Sequence, residues 1–61
     1  MKLKEIREEK CMTISALAQK SGITRQTIYR LENEMESTAN SKTLVALADA
    51  LGVRVTDFFE G

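Results

Sequence analysis

Residues 14–33, ISALAQKSGITRQTIYRLEN, carry the strongest structural signal in this chain, because they read as two short helices joined by a tight turn. Apolar residues recur in both halves at the spacing of a buried helix face. Between the halves, Gly22 stands where a helix can end in a left-handed residue, and Thr24 can cap the next helix. Two helices that meet at a sharp angle need a small residue where they touch, and Ala18 meets that need.

The residues before this segment continue the helical pattern. Leu3 and Ile6 are spaced i, i+3 and indicate the inner side of a first helix over about 2–10. Thr13 can then cap the second helix through its hydroxyl oxygen. We therefore expect one more helix on the N-terminal side, followed by a short turn.

The residues after the segment predict a loop and two further helices. Residues 37–40 are polar and without periodicity, so we expect a loop there. Ser41 can cap a fourth helix that Gly52 ends, and residues 55–60 are long enough for one short final helix. The prediction is an all-α, compact bundle of five short helices, forming a single domain over residues 1–61. Its expected core is Leu3, Ile6, Leu17, Ala18, Ile23, Ile28, Leu31, Leu44, Leu47, Leu51 and Phe58.

Charge is balanced overall but unevenly distributed along the chain. The formal net charge is zero, from nine basic and nine acidic residues. Residues 1–30 carry seven bases and three acids, whereas residues 31–61 carry two bases and six acids. A chain with this asymmetry can present one basic face to a polyanion.

The outer side of the third helix is rich in hydrogen-bond donors. At about 3.6 residues per turn, the buried Ile28 and Leu31 fix which residues lie opposite them. Arginine can bind guanine, glutamine can bind adenine, and threonine can contact a thymine methyl group. An ordinary solvated helix face is the alternative, but the turn in front of this helix favours base contacts. The residues on this side are Gln26, Tyr29 and Arg30, flanked by Arg25 and Thr27.

Two motifs resemble the phage repressor and Cro family of helix-turn-helix regulators, also called xenobiotic-response-element-like. The first is Leu17-Ala18-x-x-Ser21-Gly22-Ile23-Thr24-Arg25-Gln26-Thr27-Ile28-x-x-Leu31-Glu32-Asn33, and the second is Thr43-Leu44-x-x-Leu47-Ala48-x-Ala50-Leu51-Gly52-Val53. The resemblance implies a five-helix domain whose third helix enters the major groove of double-stranded DNA. It also implies a homodimer on a two-fold, pseudo-palindromic operator.

The resemblance assigns a role to individual residues. It implies base contacts from Arg25, Gln26, Thr27 and Arg30. It also implies that Arg7 in the first helix pairs with Glu32. Contacts to phosphate or to the flanks of the site are expected from Thr13, Thr24 and Tyr29.

The chain departs from the family pattern at two places. Ile14 stands where the family commonly has a glutamine that reaches a phosphate. Glu34, Met35 and Glu36 follow Asn33, where the family often has glycine and basic residues. An acidic segment here should weaken phosphate binding locally. These departures, with the zero net charge, leave a second interpretation open: a protein-interaction module on the same fold, such as an antitoxin-like or assembly adaptor.

Other classes of protein find little support in the residues. The chain has no histidine, no phosphate-binding glycine loop and no cluster of metal ligands, so we expect no enzymatic activity, cofactor or metal. Its single cysteine, Cys11, cannot form a disulfide within the chain. The sequence lacks a signal-peptide pattern and an apolar run of the roughly 18 residues that span a membrane. The expectation is a cytoplasmic, sequence-specific transcriptional regulator that acts as a repressor.

Overall fold

Four α-helices and one 3₁₀ helix make up the residues that this computed structural model describes, 1–33 and 40–59. The α-helices are α1 (Leu3–Glu9), α2 (Ile14–Ser21), α3 (Arg25–Asn33) and α4 (Ser41–Leu51), and the 3₁₀ helix is Val55–Phe58. The described ranges contain no strand. The all-α prediction is therefore confirmed, but the count of five helices was wrong, because the last predicted segment forms no α-helix.

The boundaries of α2 are set by two capping residues that the sequence predicts. The Thr13 hydroxyl oxygen accepts a hydrogen bond from the Ala16 N–H at 3.0 Å and so begins the helix. At the other end, Gly22 has φ 76° and donates its N–H to the Ala18 carbonyl at 2.9 Å. Only a residue that tolerates positive φ can close a helix in this way, and glycine does so without a Cβ clash.

The start of α4 corrects a prediction. Asn40, not Ser41, is the N-cap: its side-chain oxygen accepts from the Thr43 N–H at 2.9 Å, and Ser41 is already helical. Asparagine and serine are both good caps and stand side by side, so the sequence alone could not separate them. Residues 37–39 of the predicted loop, and the acidic residues 34–36, lie outside the described ranges.

The C-terminal segment forms a 3₁₀ helix: the Asp57 N–H donates to the Arg54 carbonyl and the Phe59 N–H to the Thr56 carbonyl, each at 3.0 Å. The Asp57 carboxylate accepts a hydrogen bond from the Arg54 N–H at 3.0 Å, which closes the turn over three residues. The Phe58 carbonyl then accepts from the Lys2 N–H at 2.7 Å and joins the two ends of the described chain. Phe58 is fully buried and Phe59 is exposed. The segment is thus held by its own i→i+3 backbone hydrogen bonds, by the bond to Lys2 and by packing against α4.

The core matches most of the predicted list. Ala18, Ile23 and Leu44 pack against it but remain partly exposed, since a domain of this size has few fully enclosed positions. Ala48 is buried, as its spacing from Leu44 and Leu51 predicts, and Ala50 is buried although the sequence did not place it inward. The predicted residues that are buried are Leu3, Ile6, Leu17, Ile28, Leu31, Leu47, Leu51 and Phe58.

The end of α1 has a backbone conformation that the sequence did not suggest. Cys11 has φ 56°, the left-handed region that usually takes glycine. Its N–H donates to the Glu8 carbonyl at 2.9 Å, and the Met12 N–H donates to the Arg7 carbonyl at 3.1 Å. This pair of bonds is the Schellman motif, and it turns the chain sharply from α1 into α2.

Candidate nucleic-acid interface

The turn between α2 and α3 fixes the angle at which α3 leaves the core. After Gly22, the Ile23 N–H donates to the Ser21 hydroxyl at 3.1 Å. Thr24 then caps α3, because its hydroxyl oxygen accepts from the Thr27 N–H at 3.3 Å and its carbonyl from the Ile28 N–H at 3.1 Å. These hydrogen bonds pair the polar groups of the turn, so α3 begins directly after Thr24.

The outer face of α3, defined as Arg25, Gln26, Tyr29 and Arg30, is exposed along the helix. Tyr29 is 60% exposed and is the largest apolar surface on this face. The inner face of the same helix is fully buried at Ile28 and nearly so at Leu31. The structure therefore places four of the predicted DNA-contacting residues together on one open surface.

Within Arg25–Asn33, no exposed acid lies on the outer face. The only acid in α3 is Glu32, and its side chain is just 2% exposed. The face therefore combines two cationic side chains with the amide of Gln26, a donor and acceptor. Such a surface attracts phosphate and can also discriminate between base edges.

Thr27 is half-buried, at the edge of this face rather than on it. Its hydroxyl oxygen accepts a hydrogen bond from the Thr24 hydroxyl at 2.9 Å. The Thr27 side chain can still offer its own hydroxyl hydrogen and its methyl group. Its predicted base contact can therefore still be made through the hydroxyl, which keeps its hydrogen and a second lone pair, or through an apolar contact with a thymine methyl.

Ser15 is a neighbour of the outer face that the sequence did not single out. Its hydroxyl accepts a hydrogen bond from Arg25 Nη1 at 3.4 Å, from one exposed side chain to another. Ser15 lies in the first turn of α2 and Arg25 in the first turn of α3, so the two helix starts lie side by side. The spacing of ten residues gave no periodic signal for this contact.

The predicted flanking residues are held by local hydrogen bonds. The hydroxyl oxygens of Thr13 and Thr24 both act as helix caps, and both residues are exposed. The Tyr29 carbonyl accepts from the Asn33 side-chain amide at 2.7 Å. Ile14, where the resemblance led us to expect a glutamine that reaches a phosphate, is half-buried and packs against the core.

An internal ion pair fastens α3 to α1. Arg7 Nε and Nη2 donate to the two carboxylate oxygens of Glu32 at 2.7 and 3.2 Å. Arg7 Nη1 also donates to the Met12 carbonyl at 2.7 Å. The hydrogen bond to Glu32 raises the pKa of Arg7 above its ordinary value, against the opposite effect of burial. Arg7 is thus a structural link between α1, α3 and the turn before α2.

Metal-binding clusters and membrane-spanning helices are both absent from the described ranges. They contain no group of three or more histidine, cysteine or acidic side chains placed to hold a metal ion. None of the helices there is long and apolar enough to cross a membrane.

Comparisons with known proteins agree with this geometry. A family model described as helix-turn-helix matches residues 3–58. A protein of Methanothermobacter thermautotrophicus is 35% identical over 54 residues, which cover 88% of this chain and 17% of that protein. One from Methanococcus vannielii is 32% identical over 65 aligned positions, which cover 97% of this chain and 20% of that protein. Both carry the name "Putative HTH-type transcriptional regulatory protein", and the chain spans about a fifth of their length.

Proposed function

The chain belongs to the helix-turn-helix family, and on that premise we propose that it is a transcriptional regulator that binds double-stranded DNA in a sequence-specific manner. It acts as a repressor by occupying its operator. The outer face of α3 enters the major groove, and the first turns of α2 and α3 lie against the phosphates on either side. The names of the two relatives, which are HTH-type regulatory proteins, support this proposal.

The observation that carries the proposal is the composition of the outer face of α3. Arg25, Gln26 and Arg30 lie exposed on one side of a short helix, and the only acid of that helix is turned inward. A helix face that contacts only solvent ordinarily carries both acids and bases, and its acids would repel phosphate. Because α3 exposes no acid, its outer face favours a polyanionic partner. The Gln26 amide favours a nucleic acid, because it can form hydrogen bonds with base edges.

Two copies are needed for a useful specificity. One recognition helix contacts only a few base pairs, and each correct contact contributes about 1–3 kcal/mol. A two-fold dimer doubles the contacts and places its half-sites about 34 Å apart, one turn of the double helix. We therefore propose a homodimer on a pseudo-palindromic operator.

Substitution of Gln26 by alanine tests whether α3 reads bases. A duplex sequence is first selected from a random library with the unmodified chain, and the dissociation constants for that duplex and for random duplex are then measured. Gln26→Ala should weaken binding to the selected duplex by about 1–3 kcal/mol per half-site, because a bidentate contact to adenine is lost. Binding to random duplex should barely change, since the substitution removes no charge.

Gln19→Ala is the matched control, because Gln19 is an exposed glutamine on α2 outside the proposed contact surface. It should leave both dissociation constants unchanged. The proposal is wrong if Gln26→Ala affects selected and random duplex equally, or affects neither. It is also wrong if no sequence can be selected at all, and the protein-interaction module then becomes the better interpretation.

A further inference from the structure

α4 has an unpartnered outer side opposite the side that packs on the core. Leu47 and Leu51 are buried on the inner side. The outer side carries a row of residues spaced i, i+3, i+4 and i+7, which therefore share one face of the helix. Val45, near its centre, is 47% exposed. This row lines a shallow open groove and is called the α4 stripe: Lys42, Val45, Ala46 and Asp49.

The α4 stripe is complementary to itself. A two-fold axis through the midpoint of Val45 and Ala46, perpendicular to the helix, brings residue 42 of one copy opposite residue 49 of the other. Lys42 then faces Asp49 twice, once at each end, and Val45 faces the small side chain of Ala46 at the centre. We propose that the α4 stripe binds a second copy of this chain, with the two α4 helices antiparallel.

The positions of the two charges along α4 indicate that the α4 stripe contacts a second copy of the chain rather than solvent alone. Lys42 lies in the first turn and Asp49 in the last, opposite to what the helix dipole favours at each end. An isolated α4 gains nothing from this arrangement. In the antiparallel pair, each lysine lies beside the negative C-terminal end of the other helix, and each aspartate beside the positive N-terminal end. Within the described ranges, neither side chain has an ion-pair partner in its own chain.

The α4 stripe predicts a weak interface. It is one helix face wide, and an interface of this extent falls below the usual area of about 1,200–2,000 Å² for stable complexes. Ala46 allows the two helix axes to approach closely, which increases the contact that Val45 can make. This inference rests on the proposed function in that a two-fold operator requires two copies, which DNA would then hold together.

Reversing the charges and then exchanging them tests the interface. Self-association is measured by sedimentation equilibrium at low salt, from about 10 µM to about 1 mM, where small interfaces associate. Lys42→Asp or Asp49→Lys alone should weaken association about tenfold, because two attractive pairs become repulsive. The double exchange should restore association to within about threefold. Neither reversal should unfold the helix, since each places a charge where the dipole favours it, and circular dichroism checks this.

Lys4→Asp is the control, because it makes the same charge change as Lys42→Asp on the exposed side of α1. It should leave association unchanged. Salt should weaken the association of the unmodified chain, whose pairs are attractive, and should strengthen that of the single reversals, whose pairs are repulsive. A chain that stays monomeric across the whole range overturns the proposal, as does a double exchange that fails to restore association.

The same preparations separate this proposal from the proposed function. If the chain selects no duplex sequence but its association follows the charge exchange, the DNA-binding proposal fails and the α4 interface stands. If a selected duplex is bound and the reversals leave association unchanged, the interface alone is wrong.

Discussion

At the scale of single residues, Arg7 shows how much one side chain can organise in so small a domain. Its guanidinium group binds both oxygens of Glu32 and also the Met12 carbonyl. The pairing with Glu32 was implied by the family resemblance. The bond to Met12 could not be predicted, because it depends on the path of the turn after α1. That path is in turn set by the left-handed Cys11.

The Arg7–Glu32 pair should be strongly coupled. Arg7→Met or Glu32→Met alone should lower the free energy of unfolding by about 3–5 kcal/mol, since each leaves a buried charge without its partner. The double substitution should lose less than the sum of the two, because no buried charge remains. Urea unfolding gives the free energy of unfolding of the unmodified chain, the two single variants and the double variant. Sulfate in the buffer keeps even the least stable of them folded at the start.

The exposed pair Arg54–Asp57 is the control for this cycle. Arg54 Nη2 and Asp57 Oδ1 are 3.8 Å apart, and the Arg54 side chain is 81% exposed. Arg54→Met should therefore change stability by less than about 0.5 kcal/mol. Additive losses in the Arg7–Glu32 cycle would show that the two residues act independently.

Cys11 contributes through its backbone geometry, because its φ lies in the left-handed region. Cys11→Gly should stabilise the protein by about 0.5–1 kcal/mol, because the strain of a left-handed Cβ exceeds the entropy that glycine loses on folding. The midpoint of thermal unfolding should rise by a few degrees. Lys10→Gly, one residue earlier at φ −85°, should lower it instead. A decrease for both would mean that Cys11 is not strained.

At the scale of helices and turns, the sequence predicts well wherever a local group ends a helix. The Thr13 and Thr24 caps and the Gly22 and Gly52 ends were all predicted, because a hydroxyl oxygen or a missing Cβ acts within a few residues. A short final helix was predicted over residues 55–60, but neither its 3₁₀ form nor the hydrogen bond from the Lys2 N–H to the Phe58 carbonyl was. That contact joins opposite ends of the described chain and leaves no local pattern.

The correction at the start of α4 can be measured directly. Asn40→Ala should cost about 1 kcal/mol, because the Thr43 N–H then loses the oxygen that accepts its hydrogen bond. Ser41→Ala should change stability by only a few tenths of a kcal/mol, since Ser41 is an exposed helical residue. Chemical denaturation of the two variants compares them side by side. Equal losses, or a larger loss for Ser41→Ala, would restore the sequence-based assignment of the cap.

At the scale of the whole molecule, α2 is the element that connects the rest, since it packs against both α3 and α4. The radius of gyration is 10.0 Å, close to the roughly 10.5 Å expected of a compact chain of this length. Periodicity predicted the large core residues correctly. It could not tell that Ala50 is enclosed, because burial of a small side chain depends on how closely neighbouring helices approach. Periodicity predicted which residues of α3 are exposed on its outer face, but not the Ser15 contact, which only the angle between α2 and α3 creates.

Leu47→Ala tests whether this one core determines the stability of the whole domain. Leu47 is fully buried in α4, so truncation should cost about 2–5 kcal/mol from lost apolar contact and the cavity left behind. A domain of this size has only roughly 3–9 kcal/mol in total, so much of the population should unfold at moderate temperature. Val45→Ala, on the exposed side of the same helix, is the control and should cost less than about 0.5 kcal/mol in dilute solution. Thermal unfolding followed by circular dichroism compares the two. Similar midpoints for both variants would mean that α4 does not pack on α2 through Leu47, and the arrangement of the core would have to be redrawn.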